Sequence, residues 1–348
     1  MSQRYDYRAL IGYARDALAA SGLDAGHAEI VAETLVEGDL LGHSTHGLAL
    51  LPRYLRELAA GHMTKAGEPS VVRDHGASAA WDGKYLPGPV LVRRALAQCT
   101  QRARDTGVAT VAIGQSHHVA CLAAYLKAVT DEGMAAIIAS SSPATASVAP
   151  FGAVAGIYSP NPIAAGWPTG GDPVLVDISA SITTNSLVSE RVEEGRSLPG
   201  AWMIGPDGTA SDDPGLLTAE PAGALLPLGG TEYGHKGFAL GLIVEMLTAG
   251  LAGHGRADAP DQWGASVFVM VVDPEHHGGR AAFERQTGFM AGAARGAKVP
   301  DGASAVRLPG ERALRLRRQQ MAEGVALSDE LLARLRKALP DRPLDASR

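Results

Sequence analysis

Val108-Ala-Thr-Val-Ala-Ile113 runs directly into Gly114-Gln115-Ser116-His117-His118, so an apolar stretch of strand length is followed at once by hydroxyl and imidazole groups. The apolar part is too short for a buried helix and reads as a buried strand. Its polar sequel therefore stands at the carboxyl end of a strand, where α/β proteins assemble their sites. The pattern alternates on both sides. A helical pattern from Pro89 to about Arg104 precedes the strand; one from 119 to 131 and a second apolar run, Met134 to Ala139, follow it. With a strand pair around Val71-Val72 and Ala79-Ala80-Trp81, this predicts an α/β core.

The flanks differ. Residues 7–21 and 24–41 repeat apolar positions at three and four spacing, with Asp24 placed to cap and Gly22 to stop, and a third helix is expected from 46 to 60. Between 140 and 235 the chain is rich in Gly, Pro, Ser and Thr, with a strand at Val174 to Ile178 and a turn at Pro206-Asp207-Gly208. A long helix from Lys236 to Leu251, a β-rich run at 266–272, a helix near 279–296 and a last helix from Ser328 to Leu339 complete the reading. Residues 115–300 are expected to form one domain, and 1–114 with 301–348 a second, discontinuous one.

Composition narrows the function. The chain has 348 residues, 31 basic against 37 acidic, and the charges are interspersed without a basic stripe, which argues against a nucleic-acid partner. Arginines at Arg312, Arg315, Arg317 and Arg318 read as a solvated helix face. Cys99 and Cys121 are too few for a disulfide framework, the amino-terminal residues lack an export signal, and the apolar segment 237–253 falls short of a bilayer span. A cytoplasmic protein without membrane contact is expected.

Three polar clusters bear on chemistry. Gly42-His43-Ser44-Thr45-His46-Gly47 places Thr45 to cap the expected helix and His46 in its first turn, where the dipole would lower the imidazole pKa. The residues allow a proton-transfer histidine or a cap with two solvated histidines. His117 and His118 have no third ligand at metal spacing, so no metal is expected. Gly234-His235-Lys236-Gly237 frames a lysine at an expected helix start, either a phosphate site or an ordinary helix beginning. His276 and His277 read as a surface loop. Neither G-x-G-x-x-G nor a Walker-type loop occurs, which disfavours an ordinary Rossmann enzyme or a P-loop NTPase.

Taken in order, Thr45-His46-Gly47, Ser116-His117-His118, PFG at 150–152, NPIA at 161–164, VDIS at 176–179, EGRSLPGAW at 194–202, LLPLGG at 225–230, GHKGFAL at 234–240 and RLPGER at 307–312 resemble the type 2 malate/L-lactate dehydrogenase family. Relatives there include sulfolactate and ureidoglycolate dehydrogenases, diketogulonate reductase and cyclic imino-acid reductases. The resemblance implies a non-Rossmann α/β fold with a largely antiparallel central sheet, a helical discontinuous domain and a homodimer. It implies NAD(P)H as cofactor and hydride transfer to or from C2 of a 2-hydroxy or 2-oxo acid, or alternatively a 2-imino acid. His46 falls on the proton donor, Thr45 on the residue that orients it, and His118 on a histidine that contacts substrate or acts as base. Tyr54, Arg53 and His117 fall on the substrate side. Ser142, Asp177, Ile178, Ser179, His235, Lys236 and the loop Arg307, Pro309, Gly310 and Glu311 match cofactor contacts.

Two departures bear on the substrate. Leu50 stands where many members carry an arginine, which removes a bidentate carboxylate clamp. Arg53 could replace it only by turning inward. Leu187 stands where the imino-acid reductases carry a relay aspartate, which argues against simple transfer of the cyclic-imine activity.

Overall fold

The computed structural model describes residues 3–340, 342 and 344. In chain order the elements are β1 (Arg4–Tyr5), α1 (Tyr7–Ala20), α2 (Ala25–Leu40), α3 (Leu51–Ala60), β2 (Ser70–Asp74), β3 (Ser78–Asp82), α4 (Gly88–Thr106), β4 (Val108–Ser116), α5 (Ala123–Thr130) and β5 (Ala135–Ser141). There follow β6 (Pro162–Trp167), β7 (Val174–Ser179), α6 (Asn185–Glu194), β8 (Met203–Ile204), β9 (Ala210–Ser211), β10 (Ala224–Leu225), α7 (Gly230–Glu245), β11 (Ala265–Val272), α8 (Arg280–Arg295), α9 (Glu311–Glu323), β12 (Val325–Ala326) and α10 (Asp329–Ala338).

Seven strands form the central sheet in the order β2-β3-β4-β11-β5-β6-β7. Only β3 and β4 pair in parallel, joined through the crossover helix α4; the other neighbours are antiparallel. Strand direction follows from these pairings. β3, β4, β5 and β7 all run the same way, so Ser116, Ser141 and Ser179 end at one edge of the sheet. The sequence clusters that follow them, His117-His118 and Ser142, gather there for that reason.

Two apolar cores flank this framework. One packs α4 and α5 against the sheet through residues such as Leu91, Cys99, Ile113, Leu126 and Val269. The other joins α1, α2 and α3 to the C-terminal segment through Leu18, Leu35, Tyr54, Val325 and Leu332. The pairing of Tyr5 with Val325 ties the two ends of the chain together. A boundary at 114/115 falls inside β4, and β2 and β3 belong to the same sheet as β5 to β7. The strands before residue 115 therefore belong structurally with those after it.

Several expected elements hold, and three shift. Asp24 caps α2 by accepting from Gly26 and His27, Ser328 caps α10, and Gly61 ends α3 in the left-handed conformation at φ 76°. β4 continues through Ser116, so the helix after it starts at Ala123 rather than 119. The helix expected at Lys236 begins at Gly230, because Thr231 to Gly234 supply an extra first turn. It also passes into a π turn at Met246–Gly250. The helix expected from residue 46 begins at Leu51; before it the chain makes two short 3-10 turns, Ser44–His46 and Leu48–Leu50. No helix among the described residues is long and apolar enough to cross a membrane.

Candidate active site

His46 is positioned by a tight loop rather than by a helix start. Thr45 caps no helix; its Oγ1 lies 2.9 Å from His46 Nδ1 and fixes the ring directly. The loop is anchored from below by Asp39 at the end of α2, whose Oδ2 accepts the Leu48 backbone N–H at 2.7 Å. Gly47 is required there, since a Cβ would overlap the Asp39 carboxylate. Burial lowers the His46 pKa to about 4, with the nearby His43 adding to it. The helix dipole invoked from the sequence is not the cause.

His118 faces the same space. Its ring lies 6.1 Å from that of His46, and its Nδ1 is 3.0 Å from the Tyr54 hydroxyl. The Ala120 backbone N–H also points at Nδ1, at 3.3 Å, which assigns the proton of this ring to Nε2. Burial holds its pKa well below 6.5, and the charges of His46, His117 and Arg53 push the same way. His118 is thus a neutral imidazole that donates from Nε2. The Tyr54 hydroxyl is pushed far up by burial and stays protonated.

Trp263, which nothing in the sequence singled out, completes the cluster. Its indole stacks on His118 at 4.5 Å between ring centres and meets the edge of His117 at 5.0 Å, while the Arg53 guanidinium lies 3.4 Å from the ring centre on α3. The pairing of Ala265 with Ser116 brings the two together, since it sets the start of β11 beside the end of β4. His117 is fully buried and neither ring nitrogen has a hydrogen-bond partner; the nearest carboxylate oxygen, of Glu57, is 3.7 Å away. Burial lowers its pKa to about 3.

These histidines set a pH dependence of stability. Between pH about 4 and 6.5 the unfolded chain protonates a histidine that folded His46 does not, so stability falls as pH drops, by about 3 kcal/mol for His46 at the foot of that window. His117 and His118 add to the same slope. Asp39, raised to about 7 by burial, holds its proton below that pH when folded and slopes the opposite way above pH about 4, and the upward shift of Asp177 by burial acts in the same sense. With four histidines lowered, His27 on α2 being the fourth, against two raised carboxyls, thermal unfolding temperature should fall from neutral pH to about pH 5. His117→Gln should flatten that fall in a calorimetric series.

The remaining residues divide by location. Ser142 follows β5 and pairs with Thr145 at 3.1 Å. Asp177, Ile178 and Ser179 end β7; Asp177 Oδ2 accepts from the Ala123 backbone at 2.8 Å, and His43, Cys121 and Asp177 bring their ligand atoms within 4.8 Å of one another. His43 and Asp177 thus link the His46 loop to the strand ends, a convergence of metal-capable groups that the sequence did not disclose. His235 and Lys236 are exposed on the second turn of α7, so the backbone N–H groups beside them are spent within the helix. Gly237 lets that turn press on the segment after Ser179, where a Cβ would lie 2.8 Å from the Ala180 oxygen. The loop Arg307 to Glu311 is fastened elsewhere. Leu175 donates to the Pro309 oxygen at 3.2 Å, at the start of β7, four residues and roughly 13 Å of strand from Ser179. Leu187 lies in the first turn of α6, its N–H capped by Thr184. His276 is exposed, as its loop position implied.

A family model described as malate/L-lactate dehydrogenase matches residues 5–336. The Delta(1)-pyrroline-2-carboxylate/Delta(1)-piperideine-2-carboxylate reductase of Pseudomonas syringae pv. tomato is 31% identical over 97% of this chain and 96% of its own. A (2R)-3-sulfolactate dehydrogenase (NADP(+)) of Chromohalobacter salexigens is 30% identical over 97% and 98%. The solved malate dehydrogenase of Pyrococcus horikoshii OT3 superposes with a TM-score of 0.88 at 25% identity, covering 99% of this chain and 97% of that one.

Proposed function

The chain belongs to the malate/L-lactate dehydrogenase family of oxidoreductases, and from that premise we propose that it transfers hydride between a nicotinamide dinucleotide and C2 of a 2-hydroxy or 2-oxo acid, with His46 carrying the proton. The observation behind this is the pair of half-buried imidazoles at 6.1 Å, one oriented by Thr45 and the other by Tyr54.

The two rings take different roles. Thr45 engages Nδ1 of His46 and leaves Nε2 for the reacting oxygen. Reduction of a carbonyl builds negative charge on that oxygen, and imidazolium His46 neutralises it; in oxidation the neutral ring removes the hydroxyl proton. Burial keeps His46 neutral, and a bound carboxylate raises its pKa by favouring the imidazolium. His118 holds the substrate oxygen through its Nε2 proton.

Ser142, Asp177, Ile178 and Ser179 at the shared strand ends, with His235 and Lys236 on the adjoining turn of α7, are the residues that would hold NAD(P)H. The donor set suits it: hydroxyls and a carboxylate for ribose, a lysine for phosphate. When bound, the reduced nicotinamide supplies the hydride. Arg307, Pro309, Gly310 and Glu311 would meet a more distant part of the same molecule. We further propose a cytoplasmic homodimer. Leu242, Ile243, Met246, Leu251, Phe289 and Met290 are large apolar residues left exposed on α7, the turn after it and α8, the kind of surface a second copy covers.

Oxidation of NADH and of NADPH is followed at the nicotinamide band with a panel of 2-oxo acids. Turnover with at least one acid is expected; none with either cofactor overturns the reading. The likeness to the pyrroline/piperideine carboxylate reductase favours a second reading, an imine reductase acting on 2-imino acids. Pyruvate with and without methylamine separates the two, since a rate that requires the amine assigns the imine.

A further inference from the structure

Resting on that reading, the site must hold an acid, yet position 50 is a buried leucine that cannot pair with one. One helical turn on, Arg53 is, among the described residues, the permanently charged side chain that acts on both His117 and His118. Its own carboxylate partner, Glu57, is loose at 3.9 Å. The indole of Trp263 has Arg53 at 3.4 Å and His118 at 4.5 Å. Trp263 therefore packs on both the cation and the donor imidazole and fills the slot beside them. Beside the slot, fully buried His117 has both ring nitrogens unpartnered, a costly state that a polar ligand would relieve.

We propose that Arg53 and His117 form the carboxylate-binding pair of this chain, that Trp263 occupies the substrate's place until the substrate displaces it, and that the preferred substrate carries a single negative charge. The last point follows from charge count. Arg53 matches one carboxylate, while its neighbours Leu50, Tyr54 and Trp263 carry no fixed cation to pair with a second one. Trp263 then selects among monocarboxylates, since its withdrawal sets the room for the group on C3.

Oxamate, an unreactive single-charge analogue of a 2-oxo acid, is titrated into the enzyme with NAD+ and separately with NADP+, reading tryptophan emission and calorimetric heat. A saturable emission change is expected in the wild type and should be absent in Trp263→Phe, although that variant still binds oxamate. Arg53→Met should weaken oxamate binding about a hundredfold, and Arg53→Lys, which keeps the charge but not the fork, about tenfold. Pyruvate or 2-oxobutyrate should exceed oxaloacetate in kcat/KM by at least about tenfold. The proposal is overturned if oxamate does not bind the wild type, if it binds both Arg53 variants unchanged, if it binds without altering Trp263 emission, or if oxaloacetate is preferred. Oxamate binding that depends on Arg53, in an enzyme that turns over no 2-oxo acid, would retain the anion site and reject the hydride-transfer reading instead.

Discussion

His46→Ala is expected to lower turnover by about two to four orders of magnitude while leaving the dissociation constant for NAD(P)H within a fewfold of wild type. The ring is held by Thr45 on one nitrogen, and Asp39 fixes the Leu48 backbone just beyond it, so the substitution removes a group that the loop holds in place for proton transfer. Thr45→Val tests the same geometry more gently. It keeps the shape of the side chain, removes the bond to Nδ1 and should cost about tenfold in kcat with unchanged cofactor binding. A His46→Ala enzyme with full turnover would transfer the proton role elsewhere, with His118 the first to test.

Gly88→Ala should inactivate the enzyme although residue 88 carries no side chain and lies outside every sequence cluster. It is the first residue of α4 and packs against the backbone of the two histidines; a Cβ would lie 2.7 Å from the His117 oxygen and nearer still to that of His118. Backbone cannot rotate away as a side-chain tip can, so the histidine pair must shift. Overpacking of this kind costs about 1–3 kcal/mol, and displacement of a reacting group by about 1 Å costs about a hundredfold in rate. Thermal unfolding and steady-state kinetics on one preparation measure both effects. An unchanged rate together with an unchanged unfolding temperature would mean that α4 does not set the His118 position.

Local signals made much of the fold legible. Asp24, Gly61 and Ser328 mark helix ends by capping chemistry that acts over three or four residues, and the apolar run Val108 to Ile113 is a strand because its period and length allow little else. The site was legible as separate clusters: His46, the His117-His118 pair and Asp177 to Ser179. Two errors have a shared origin. Local sequence makes Thr45 a cap and Lys236 a helix start, because local propensity cannot tell where tertiary packing lets a helix begin. Asp39 holds residues 44–50 in tight turns, and the packing of Gly230 and Gly237 on the preceding loop draws α7 back by more than a turn.

The sequence by itself determined the alternation that makes an α/β core, the helical ends of the chain and the residue types available for proton transfer, because these depend on periodicity and on side-chain chemistry. Only the tertiary structure decided which of them meet. Parallel directions of β4, β5 and β7 carry His117, Ser142 and Asp177 to one sheet edge, and the antiparallel return of β11 lays Trp263 on His118 from 145 positions away. It also decided the charge state of His46, since the low pKa comes from the burial created by packing three distant segments together rather than from any neighbour in the chain.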